Sequence, residues 1–71
     1  MSMAELERSF RFYRGRQMNE IERAAATRLV PVPAPLGLTE WRTTGGQVYA
    51  KGANAVDVQV GLDARNTQKA S

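Results

Sequence analysis

At a helical advance of about 100° per residue, Met3, Leu6, Phe10, Tyr13, Gln17, Ile21 and Ala24 fall within one face about 80° wide, the pattern of an amphipathic helix. Ser2-Met3-Ala4-Glu5 has the spacing of a capping box at its start. Glu7 with Arg11 four residues apart, and Glu5 with Arg8 and Glu20 with Arg23 three apart, add ion-pair support. One helical segment over residues 1–29 is the simplest reading. Gly15 is its weak point, where the segment is expected to kink or to divide into two short helices. Pro31 ends it, because proline cannot donate to the helical ladder and pushes the residue before it toward extended backbone.

In residues 30–37, Pro31, Pro33 and Pro35 alternate with Val32 and Ala34, which predicts an extended, polyproline-like strap. From Leu38 the period becomes two. Leu38–Thr44 and Gln47–Ala50 flank Gly45-Gly46, a hairpin signal with a two-residue primed turn. Val56, Val58, Val60 and Leu62 then alternate with Asp57, Gln59 and Gly61, the pattern of a third strand. Residues 38–62 are therefore expected to form a three-stranded antiparallel meander, and residues 63–71 a polar C-terminal tail. The expected class is α+β: an N-terminal helix, a strap, a small sheet and a tail within one domain.

A 71-residue chain buries a smaller fraction of its surface than larger chains do, and such chains usually gain stability from disulfides, metals or association. The sequence has no Cys and no His, so association is the expected route, and no metal or other cofactor is expected. Ten Lys and Arg against seven Asp and Glu give a net charge of +3, too mild for a histone-like or ribosomal chain. No apolar run approaches the length of a membrane span, and the acidic MSMAELERSF start lacks the features of a secretion signal. The chain reads as soluble and unprocessed, with its compartment, virion or cytoplasm, left open.

Catalysis needs convergent groups, and none converge visibly in this sequence. Asp57 and Asp63, six apart, read as solvated charges, and Gly45-Gly46 lacks the Lys-Ser or Lys-Thr of a phosphate loop. Residues 8–16 hold four arginines and three aromatics, a combination able to neutralise phosphate and stack on bases. On a helix these arginines spread around the circumference, so solvated ion-paired positions are favoured over a nucleic-acid ridge. Phe12 projects opposite Leu6, Phe10 and Ile21, as if the helix met two surfaces. The prolines lie two apart, whereas proline-recognition ligands need a spacing of three, which favours a bound strap. Trp41 reads as the anchor of the sheet against the helix, with a partner hot spot as the alternative.

The expected function is that of a non-catalytic structural or accessory subunit of a large multi-protein assembly, for which a phage-type virion cement, decoration or connector protein is the example. Candidate partner-binding residues are Arg11, Phe12, Arg14 and Arg16 on the helix, Pro31, Pro33 and Pro35 in the strap, and Trp41 and Tyr49 on the sheet. The expected partners are larger protein subunits, with no membrane insertion. The alternatives are a small nucleic-acid-binding regulator using the arginine and aromatic cluster, and a small inhibitor or adaptor docking on one enzyme.

Overall fold

The computed structural model describes Phe10 and residues 13–70, with side chains through Asn66. The fold is α+β. Helices α1 (Glu20–Thr27) and α2 (Gly52–Ala70) accompany a three-stranded antiparallel sheet of β1 (Val30–Pro33), β2 (Thr39–Arg42) and β3 (Val48–Tyr49), in the spatial order β1-β2-β3. Helix α2 packs on β2 and β3, and α1 packs on α2. The expected class holds, while three of its parts are built differently from the sequence reading.

The first difference is the helical segment. Its described part breaks at Arg14-Gly15, the weak point where a kink or division is expected, through a turn: both residues have positive φ (47° and 81°) and Arg16 N–H donates to Tyr13 C=O at 2.9 Å. Two successive positive-φ residues inside such a bond make a type I′ turn. Among the described residues, α-helix begins only at Glu20, where Asn19 Oδ1 accepts from Glu22 N–H at 2.8 Å and Glu22 Oε1 accepts from Asn19 N–H at 3.0 Å. This reciprocal cap starts α1. The Ser2 capping box and the first stretch of the predicted helix lie outside the described residues.

Of the stripe read from Met3, Phe10 and Tyr13 are buried, but the pattern does not carry past the break into α1. Ile21 is 65% exposed, and α1 instead buries Glu22, Ala25 and Ala26. The two alanines share a buried cluster with Ala55 and Val56 of α2, and small side chains let the helices approach closely.

The second difference is the strap, which is a sheet strand. Val30 pairs with Arg42, Pro31 with Trp41, Val32 with Glu40 and Pro33 with Thr39. Ala34 N–H donates to Leu38 C=O at 3.0 Å, which sets the even-numbered residues of this strand as the ones bonded to β2. The odd-numbered positions, whose N–H groups would point to the free edge, are Pro31, Pro33 and Pro35. Spacing of two is thus the mark of an edge strand whose outward donors have all been removed.

The third difference is the predicted third strand over residues 56–62, which lies inside the 19-residue α2. Alternating valines fit a strand, but Ala53, Val56 and Val60 also satisfy the three-and-four spacing of a helix, and no proline interrupts the run from Gly52 to Ala70. The polar residues 63–70 continue this helix instead of forming a separate tail. The hairpin at Gly45-Gly46 is present with a longer loop: Thr43 N–H donates to Gln47 C=O at 2.8 Å, Gly46 N–H donates to Thr43 C=O at 3.0 Å, and only Gly46 has positive φ (88°). That is a three-residue loop over Thr44–Gly46 in place of the two-residue turn.

The core gathers Phe10, Tyr13, Met18, Ala25, Ala26, Leu29, Trp41, Ala55 and Val56, with Tyr49, Ala53 and Val60 packed against it. The rings of Phe10 and Trp41 meet at 5.0 Å and 57°, a tilted aromatic pair.

Candidate interaction surface

The arginines of the cluster that the structure describes are held by acids of the same chain. Arg16 grips Glu22 with two parallel bonds of 2.7 Å, and Arg14 Nη2 lies 2.5 Å from Asp57 Oδ2 and 3.3 Å from Asn54 Oδ1. Tyr13 donates its hydroxyl to Asp57 Oδ1, and both guanidinium groups stand near the Tyr13 ring, at 5.2 Å for Arg16 and 5.7 Å for Arg14. Glu22 is buried, and the Arg16 hydrogen bonds hold its carboxyl below the usual carboxylate range against the opposing effect of desolvation, helped by the Asn19 amide. This cluster ties residues 13–16 to both helices. Arg11 and Phe12 lie outside the described residues.

Trp41 is buried against Phe10 within the chain, and Tyr49 is half-buried beside it, its hydroxyl 2.5 Å from Gln47 Oε1. Pro31, Pro33 and Pro35 are exposed along the free edge of β1. Among the described residues, the candidate partner-binding set is therefore divided into two arginines paired at the surface, two aromatics packed toward the core and three prolines on an open edge.

Sequence reasoning missed the groups that most resemble contact points. The β1–β2 hairpin closes over Leu36-Gly37, where Leu38 N–H donates to Pro35 C=O at 3.3 Å and both central residues have positive φ (63° and 72°). This second type I′ turn favours Asn, Asp or Gly at its first central position. Leucine stands there instead, 95% exposed. The sheet face turned away from the helices carries Val30, Val32, Leu38 and Val48 with Glu40 and Arg42, and its Val30, Leu38 and Val48 are exposed. The only sequence signal for the turn was Leu36-Gly37 after a proline, and for the face the even-numbered alternation across residues 30–42.

A buried polar chain is the remaining cluster of polar side chains. Gln59 is fully buried, its Oε1 accepting from Thr44 N–H and its Nε2 donating to Thr44 Oγ1 and to Asp63 Oδ1, each at 2.9 Å. Asp63 in turn lies 2.5 Å from Arg28 at the end of α1. Every polar atom of the Gln59 amide is satisfied, which fits a bolt between α2 and the β2–β3 loop. No helix among the described residues is long and apolar enough to cross a membrane. No family model, no curated protein and no solved structure matches the chain.

Proposed function

We propose that the chain is a non-catalytic accessory subunit that docks on a larger protein within a multi-protein assembly, of which a phage-type virion is one example, and that the Pro35–Leu38 turn makes the contact. The observation carrying this reading is Leu36. Positive φ costs a leucine about 1–2 kcal/mol. Full exposure gives nothing back in burial. A residue that local backbone preference and internal packing both disfavour is expected where an outside contact rewards it. No charged residue occurs between Arg28 and Glu40, so the turn supports an apolar protein pocket better than an anionic lipid surface or a phosphate backbone.

Leu36→Asn tests this reading, because Asn is at home in this turn. The variant should melt at the same or a higher temperature, gaining about 1 kcal/mol, while losing its partner. Tagged wild-type and variant chains would be recovered from cells that express the chain natively, and the stoichiometry of what copurifies would be compared. A partner held in fixed ratio by the wild type and lost by the variant supports the proposal. Equal retention by a folded variant overturns it, as does steeply salt-dependent binding of the chain to mixed DNA with no protein partner.

A further inference from the structure

From the outer face of the sheet we infer a second surface, which receives a second copy of this chain face to face about a two-fold axis lying across the strands. The register puts Val30, Arg42 and Val48 in one row of this face and Val32 and Glu40 in the next. These are one acid and one base on neighbouring rows, and neither has an ion-pair partner among the described residues.

An axis parallel to the strands would stack Glu40 on Glu40 and Arg42 on Arg42, which like-charge repulsion disfavours. An axis across the strands reverses β2 on its copy, so that each Glu40 faces the other chain's Arg42 and each Val30 faces the other's Val32. The face is then self-complementary, as an isologous contact must be. Edge-to-edge joining is the usual alternative for an open sheet. It is closed on the β1 side by Pro31, Pro33 and Pro35, and on the other side β3 has only two residues.

The extent of the face sets the strength. Four residues by three strands cover roughly 13 by 14 Å, well below the ~800 Å² per partner of a standard interface, so the dimer should be weak and concentration-dependent. Leu36 lies at the hairpin end, outside the paired rows, so this contact and the docking proposed above are independent.

The experiment is sedimentation equilibrium of the full chain from about 10 μM to about 1 mM, with circular dichroism to verify folding. The wild type should move from monomer toward dimer and stop there. Glu40→Arg and Arg42→Glu should each weaken dimerisation by about tenfold or more, since each places two like-charged pairs at the contact. The double exchange Glu40→Arg with Arg42→Glu should restore it. A folded wild type that stays monomeric throughout, a dimer indifferent to the single reversals, or single losses without rescue would each overturn the inference. Association continuing past the dimer, or a monomer that binds neutral phosphatidylcholine vesicles through Val30 and Val48, would also overturn it. Leu36→Asn should leave dimerisation unchanged, so failure here is separable from failure of the docking proposal.

Discussion

Leu36 and Arg14 hold nearly the same backbone conformation, φ 63° with ψ 27° and φ 47° with ψ 37°, and differ in what surrounds them. Arg14 is offset by Asp57, Asn54 and the Tyr13 ring, whereas Leu36 stands in solvent. Strain at Arg14 is thus compensated within the chain, and the lack of such compensation at Leu36 is what supports the contact proposed there. A second single-residue constraint is Gly52, the first residue of α2. A Cβ there would lie 2.8 Å from Phe10 Cζ and closer still to Cε1, so the ring rests directly on the helix start. Gly52→Ala should therefore displace Phe10 from Trp41 and lower stability by about 2 kcal/mol or more, although alanine is the better helix former. Chemical denaturation followed by the fluorescence of the single tryptophan would measure it, and an unchanged midpoint would show that the ring has room to move. Neither constraint was legible in the sequence, because φ at Leu36 and the Phe10–Gly52 contact arise from pairing and packing.

Among the elements, β2 and the following hairpin were readable because a period of two bounded by glycines has few other meanings. α2 was misread because Val56–Leu62 satisfies strand and helix patterns together, and only the helix-forming residues after Leu62 settle the choice. The β1 prolines were seen, but their spacing could be understood only with β2 alongside. The same spacing makes a prediction for the strand. Pro31→Thr with Pro33→Thr leaves the inward ladder intact and returns two outward N–H donors to the edge. The double variant should keep its helical circular dichroism yet aggregate sooner with a rise in thioflavin fluorescence; equal solubility would mean that the edge is protected in some other way.

Among the described residues, a core of a few aromatic and small apolar residues is reinforced by three polar ties, Arg16–Glu22–Asn19, Arg14–Asp57–Tyr13 and Arg28–Asp63–Gln59–Thr44. Asn19–Glu22, three apart, and Gln59–Asp63, four apart on α2, are local spacings that the sequence carries and that sequence reasoning missed, whereas Arg16–Glu22, Arg28–Asp63 and Gln59–Thr44 converge only when the helices and sheet assemble. The Glu22 tie has a consequence for pH. Its carboxyl is held below the usual range in the fold, so the unfolded chain binds the proton more readily and stability falls as pH drops through about 4 toward the folded value. Glu22→Gln keeps an amide able to complete the cap but no charge to titrate. Its thermal midpoint should be lower near neutrality and should depend less on pH between about 3 and 6. A wild-type midpoint already flat over that interval would show that the tie contributes little.

Removing the outward donors of β1 also changes what hydrogen–deuterium exchange can report. An edge strand ordinarily alternates slow amides, bonded inward, with fast ones open to water. In β1 the water-facing half of that alternation carries no amide hydrogen, and Val30 and Val32, followed by Ala34, lie on the bonded side. This edge strand should therefore return the exchange signature of an interior one, with protected amides and no rapidly exchanging neighbours between them.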